Sequence, residues 1–160
     1  MVASAAAPIE AIVAPGHPLA GLVSVPLSAL TAHPLALPEG ASTVRQVLDS
    51  ACALEGLRYQ VACTGNLPTL MALVQQGDLV LLGSRVSVSR PGNGTTLACV
   101  PVEHALFEQR RVQLLVRAPQ QTPPLLAAFV AQVRVVLGVI PTQLSIESRH
   151  RACLTGEERS

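Results

Sequence analysis

The chain has 160 residues, enough for one domain with a real hydrophobic core. Hydrophobic residues make up 49% and charged residues 13%, a balance that excludes disorder for most of the length. The net charge of +1 argues against a stand-alone nucleic-acid binder, and no apolar run is long enough to span a bilayer.

Met1 to Pro8 is small and apolar but has no charged leading region. Pro15, Gly16 and Pro18 then break the run, so it does not read as a signal peptide. Ile9 to Ala14 (I-E-A-I-V-A) predicts a short strand, stopped by Pro15-Gly16. Val25 to Thr31 predicts a helical turn, and Pro34 to Leu37 a second short strand. Thr43 then reads as the cap of a helix, with Gln46 completing a capping box. Val44, Val47, Leu48, Ala51 and Leu54 form its expected buried face, and Gly56 falls where a C-terminal cap belongs.

Leu57 to Cys63 predicts the next strand. Asn66 reads as the cap of a helix with the stripe Leu67, Leu70, Met71 and Val74, ended by Gly77. Leu79 to Leu82 is continuously apolar, the pattern of a strand covered on both faces. Pro91 to Gly94 is a turn cluster. Leu97 to Val102 and Val112 to Arg117 predict two more strands. Thr122-Pro123-Pro124 opens a last helix, Leu125 to Leu137, with Gly138 after its end. That helix is apolar over most of its circumference and calls for cover beyond what the preceding chain supplies. The segment 138–160 lacks apolar periodicity and reads as a loose tail.

The alternation of strands and helices implies an α/β unit with a mostly parallel sheet. Ligands bind such sheets at the carboxyl ends of the strands. Two polar loops are expected there, one ending Ser42-Thr43 after the strand that closes at Leu37, the other Thr64-Gly65-Asn66 after Cys63. Each opens into a helix, whose first N–H groups and positive dipole end suit an anion. Thr43 and Asn66 also serve as ordinary caps, and the two roles are compatible.

Other features point to no chemistry. The four cysteines, Cys52, Cys63, Cys99 and Cys153, form no C-x-x-C pair and no zinc spacing, which fits a reducing cytoplasm. All eleven basic residues are Arg, the mark of a GC-rich genome. Arg45 reads as a solvated side chain, with pairing to a ligand carboxylate as the other reading. His17 and His33 read as turn residues, and Glu103-His104 and Arg149-His150-Arg151 as surface. No nucleophile, phosphate-loop or zinc-protease motif occurs, so no catalytic residue, metal ligand or cofactor is assigned.

Five motifs follow one another along the chain: G-H-P-L-A (Gly16 to Ala20), P-L-S-A-L (Pro26 to Leu30), P-L-A-L-P-E-G-A-S-T-V-R (Pro34 to Arg45), L-M-A-L-V-Q-Q-G-D-L-V-L-L-G (Leu70 to Gly83) and the stretch Val112 to Val130. Their order and spacing resemble the effector-binding domain of LysR-type transcriptional regulators. The resemblance implies a periplasmic-binding-protein-like (type 2) fold, here mainly one subdomain with a mostly parallel sheet flanked by helices. Residues 9–137 would be a partial effector-binding domain: subdomain II over about 9–117, with 9–14 and 112–117 as the crossover strands, and the C-terminal helix of subdomain I over about 123–137. The family's winged helix-turn-helix and the first half of subdomain I have no counterpart here, so DNA would be bound only through a domain absent from this chain.

By position, the resemblance implies ligand contacts at Ser42, Thr43, Thr64 and Asn66. It further implies a small-molecule effector, a homodimer or higher oligomer, a cytoplasmic location and no membrane association. The stretch Gly77 to Ser84 departs from the family's Gly-x-Gly and Leu-Pro pattern. The expected function is the regulatory, effector-sensing portion of such a regulator, with a small, anionic metabolite as effector. The rivals are a solute-binding fragment of a transporter and a small α/β enzyme.

Overall fold

Strand β2 (Glu10–Val13) is buried at every position. It runs antiparallel to both of its neighbours in a six-stranded sheet of order β3-β7-β2-β6-β4-β5. The other five strands are β3 (Val25–Pro26), β7 (Ala98–Glu103), β6 (Val80–Gly83), β4 (Leu35–Pro38) and β5 (Val61–Gly65), and β7 and β6 are the two that flank β2. The pairs β3/β7, β4/β6 and β4/β5 are parallel, so every strand except β2 points the same way. The computed structural model describes residues 3–40, 42–88, 96–115 and 123–139.

Helices cover both faces of this sheet. On one face α1 (Leu27–Leu30), α2 (Thr43–Glu55) and α5 (Ala105–Glu108) enclose a core that includes Ile9, Leu35, Leu37, Leu48, Leu82 and Phe107. On the other face α3 (Leu67–Val74) and α4 (Arg85–Val88) cover Ile12, Ala36, Leu70, Met71, Val74 and Leu81. Two-sided cover explains why β6 is a run of apolar residues with no polar alternation. β5, at the sheet edge, differs: it alternates between half-buried and exposed residues from Val61 to Thr64.

The chain divides into two units. The larger spans Ala7–Arg110 and holds the six-stranded sheet. The smaller joins the first residues, up to Ala6, to the chain from Arg111 onward. It contains β1 (Ala3–Ala6), paired antiparallel with β8 (Arg111–Leu114), and α6 (Pro124–Val139), which packs on β1. Arg111 Nε donates to Ser4 Oγ across the ribbon, at 2.9 Å. On α6, Leu126, Val130, Val133 and Leu137 are half-buried, whereas Leu125 and Phe129 are 83% and 59% exposed.

Several expectations need correction. The cap of α2 is Ser42, and Thr43 is the first helical residue. Leu54 is exposed, because at ~100° per residue it lies far around the helix from the Leu48, Ala51 and Cys52 face. The strand expected from Leu57 is β5, which begins at Val61. Leu57 and Tyr59 pack on the core, but ladder pairing starts only where Val61 meets Leu35. Thr64 and Gly65 belong to β5 and not to a loop. Helix α3 ends at Val74, before Gly77. Gly138 lies inside α6 and does not end it.

Strand β1 and the short helices α4 and α5 have no counterpart in the sequence reading, and Val25–Pro26, expected in a helical turn, is strand β3 because β7 pairs with it, the turn of helix being Leu27–Leu30 alone. Ala3–Ala6 is a strand because β8 supplies its hydrogen bonds, not because its side chains alternate. Helix α5 seats Phe107, which is fully buried. Its cap is His104, whose Nδ1 accepts from Leu106 N at 3.2 Å. The His104 side chain is mostly covered, with Nε2 at 3.7 Å from Glu55 Oε1, so only Glu103 of that pair is a surface residue. The Pro91–Gly94 turn, the end of the last predicted strand at 116–117, the Arg149–Arg151 cluster, Cys153 and the tail from 140 on lie outside the described residues.

His17 does more than turn the chain. It is 5% exposed and joins three segments. Its Nδ1 accepts from Leu19 N at 3.1 Å, its Nε2 lies 3.3 Å from the Asp78 carbonyl oxygen, and its ring meets His33 edge-on at 4.8 Å. An accepting Nδ1 requires the neutral Nε2–H tautomer. Burial, and secondarily the neighbouring His33, push the His17 pKa below its ordinary value, against the raising effect of the Asp78 carbonyl. A histidine whose folded pKa is depressed contributes stability that is intact above the unfolded value of about 6.5 and is lost as the pH falls below it. Denaturant midpoints measured from pH 8 to pH 5 are therefore expected to fall below about pH 6.5. The loss should shrink in His17→Gln, and the His17 imidazole should titrate below its ordinary value by NMR.

Candidate functional site at the carboxyl end of the sheet

β4 and β5 are adjacent and parallel, so both deliver their following residues to the same end of the sheet. Pro38 pairs with Gly65, and Glu39 N donates to Gly65 O at 3.2 Å, so the two exits are hydrogen-bonded to each other. After β4, Gly40 adopts φ +72°, a left-handed conformation that costs glycine little. The chain then enters α2 through Ser42, which is extended. Ser42 Oγ accepts from Arg45 N at 3.3 Å, and Ser42 O accepts from Gln46 N at 3.1 Å. Ser42 is half-buried and Thr43 exposed.

Thr64 is exposed on edge strand β5, in register with Leu37, whose side chain belongs to the α2-side core. Ser42, Thr43 and Thr64 therefore share the α2 side. Asn66 is the cap of α3: its Oδ1 accepts from Thr69 N at 3.0 Å, and Pro68 follows in the first turn, where its missing N–H is not needed. Helix α3 covers the opposite face. The two helix starts thus open at one end of the sheet but on different sides of it.

Arg45 is tied to its own helix. Its Nε lies 3.7 Å from Asp49 Oδ1, and its guanidinium carbon lies 5.5 Å from the centre of the Tyr59 ring. The Tyr59 hydroxyl donates to Asp49, and burial and that bond push the phenol pKa up. The guanidinium thus has local partners, which compensate for a cation in the first turn of a helix.

Two residues at this end of the sheet escaped the sequence reading. Because β2 is antiparallel, its first residue, Glu10, stands at the carboxyl end of its neighbours, paired with Gly83 and Pro101. The Glu10 side chain is only 3% exposed. Its carboxylate accepts from Arg85 Nη2 at 2.9 Å and Nε at 3.4 Å, and Arg85 Nη2 also reaches Cys99 O at 3.4 Å. The bond to Glu10 raises the Arg85 pKa. The second residue is Ser84, buried directly after β6. The available signals were a lone acid inside I-E-A-I-V-A, which demands a partner when buried, and a serine directly after a fully apolar run.

Cys52, Cys63 and Cys99 are free thiols. Burial pushes the Cys52 and Cys99 pKa values up, which keeps those two protonated and poor as nucleophiles.

The cap assignment is open to test. Ser42→Ala is expected to lower stability by about 1 kcal/mol, and Asn66→Ala by a similar amount. Thr43→Ala, which removes no cap, should change it by less than ~0.5 kcal/mol in urea denaturation.

Comparison with known proteins matches residues 5–138 to the family described as LysR substrate binding domain. Among solved structures, the CcmR regulatory domain of Synechocystis PCC6803, determined in complex with 2-PG, superposes with a TM-score of 0.64 at 18% identity. The match covers 86% of this chain and 66% of that one. HinK, a LysR family transcriptional regulator from Pseudomonas aeruginosa, gives 0.62 at 22% identity, covering 83% of this chain and 45% of HinK. The effector binding domain of QuiR in complex with shikimate gives 0.51 at 18% identity, covering 61% of this chain and 46% of that domain. The chain thus spans less than half the length of HinK. A search of curated proteins gave no match. The likeness to the solved structures establishes the type 2 periplasmic-binding-protein-like α/β fold, and the match over 5–138 establishes the family: the chain belongs to the LysR substrate binding domain family.

Proposed function

We propose that this chain is the effector-sensing portion of a LysR-type transcriptional regulator, acting in the cytoplasm, and that it takes a small anionic metabolite at the carboxyl end of the six-stranded sheet. The supporting observation is the parallel pairing of β4 with β5, which delivers Ser42, Thr43, Thr64 and Asn66 to one end of the sheet. The family match and the small molecules held by the CcmR and QuiR domains support the same reading. In this proposal residues 9–117 act as subdomain II and 123–137 as the last helix of subdomain I. Contact with DNA belongs to another part of the regulator, and binding acts by favouring one arrangement of the protein over another. No helix among the described residues is long and apolar enough to cross a membrane.

Titration of the labelled chain with glycolate, benzoate, shikimate and inorganic phosphate tests the site. At least one should shift the amide signals of residues 42–44 and 64–66, and Thr43→Ala should weaken that ligand about tenfold, as expected for loss of a hydrogen bond to a charged group. Shifts confined to the opposite end, around His17 and His33, would sink the assignment.

We further propose that the chain self-associates, as a homodimer or higher oligomer. The support is the exposed row Leu125, Phe129 and Val136 on α6, apolar surface of a kind that soluble monomers rarely leave in water. Light scattering should give at least twice the monomer mass. A monodisperse monomer over a hundredfold range of concentration would count decisively against it.

A further inference from the structure

Ser84 carries a hydroxyl that nothing among the described residues satisfies. The residue is 5% exposed, and its Oγ has no hydrogen-bond partner. An unpaired buried hydroxyl lowers stability, so each such group calls for a partner that the fold itself does not supply.

The position of Ser84 follows from the alternation of β6. Val80 and Leu82 lie in the α2-side core and Leu81 in the α3-side core. A Cβ placed on Gly83 would meet Ile12 Cδ1, of the α3-side core, at 3.0 Å. Ser84 comes next and falls on the α2 side. β4 pairs with β6 at Leu35/Val80 and Ala36/Leu81, and the same parallel register carried three residues further sets Ser84 level with Glu39, where the chain leaves β4 for α2.

A second, independent feature meets it there. Helix α2 is 13 residues long. Ser42 takes the N–H groups of Arg45 and Gln46, which leaves those of Thr43 and Val44 without a hydrogen bond among the described residues. Two of these groups are N–H donors and the third is a hydroxyl with a hydrogen to donate, so an oxyanion is a complementary partner.

We propose that Ser84 is the inner contact of the effector site, donating its hydroxyl hydrogen to one oxygen of a small carboxylate or phosphate that the start of α2 also holds. The inference rests on the reading of this end of the sheet as the effector site, and it adds a third strand exit to the two already described. The hydroxyl is closed to solvent in the ligand-free chain, so a ligand reaches it only in a shifted arrangement. Preference for that arrangement is the differential affinity that a sensor needs.

Ser84→Ala tests the assignment, with glycolate and inorganic phosphate titrated separately as the probes. In the wild-type chain at least one of them should shift the amides of residues 42–44, and the arm that responds identifies the class of oxyanion. In Ser84→Ala that ligand should bind at least tenfold more weakly, while the ligand-free denaturation midpoint stays the same or rises. Undiminished binding in the variant overturns the role of Ser84 alone and leaves the effector site standing. A wild-type chain whose 42–44 amides respond to neither probe overturns the role of Ser84, and silence toward benzoate and shikimate as well overturns the effector site. A fall in the ligand-free midpoint also overturns the role, because it shows that the hydroxyl already has a partner inside the fold.

Discussion

The antiparallel pairing of β2 with β6 and β7 is the constraint on which the larger unit depends. β2 sits third in a sheet of six, bonded on both edges and covered on both faces. It separates β7 and β3 from β6, β4 and β5, so without it the sheet would fall into two pieces. Its direction has a second consequence. In a sheet whose other strands run the opposite way, the start of β2 lies where its neighbours end. A residue from the beginning of the unit, Glu10, thereby joins the strand exits at Gly83 and Pro101.

That placement sets the electrostatics of this end of the sheet. A carboxylate that is 3% exposed is tolerable only with a partner, and Arg85 supplies one from the first residue of α4. The pair fixes α4 against β2, and the reach of Arg85 to Cys99 O extends the hold to β7. The ion pair belongs to the α3 and α4 side. On the α2 side of the same end, Ser84 Oγ and the first N–H groups of α2 have no hydrogen-bond partner among the described residues, and the exposed Glu39 precedes them at the exit of β4.

Stability and binding draw on the same residues here. Ser42 closes α2 with both its hydroxyl and its carbonyl, and Asn66 closes α3. Both caps nonetheless stand at strand exits where ligands of such sheets lie. Loss of a cap therefore weakens a helix and disturbs the exit together, which is why Thr43, exposed and not a cap, separates the two roles. At the other end of β4 and β6, His17 holds the Leu19 turn, the Asp78 turn and His33 together with one neutral ring. The two ends are thus governed by different chemistry, donors for an anion at one and a neutral imidazole at the other.

The sequence by itself determined the local elements whose signals are local. The apolar run ending at Leu82, the stripe Leu70, Met71 and Val74, the cap Asn66 and the left-handed Gly56 need only neighbouring residues to be read. The order of its motifs also determined the family. Tertiary structure decided whatever depends on a partner far along the chain. Ala3–Ala6 is a strand only because Arg111–Leu114 pairs with it, and β5 begins at Val61 only because Leu35 meets it there. Ser42 and Thr43 both suit a cap, and the extended backbone of Ser42 chose between them. Glu10 and Arg85 are 75 residues apart, and Ser84 is a plain serine until packing removes its partners. Side-chain chemistry is written at each position, but burial and pairing are properties of the assembled sheet, and they decide which of those groups remain free to bind.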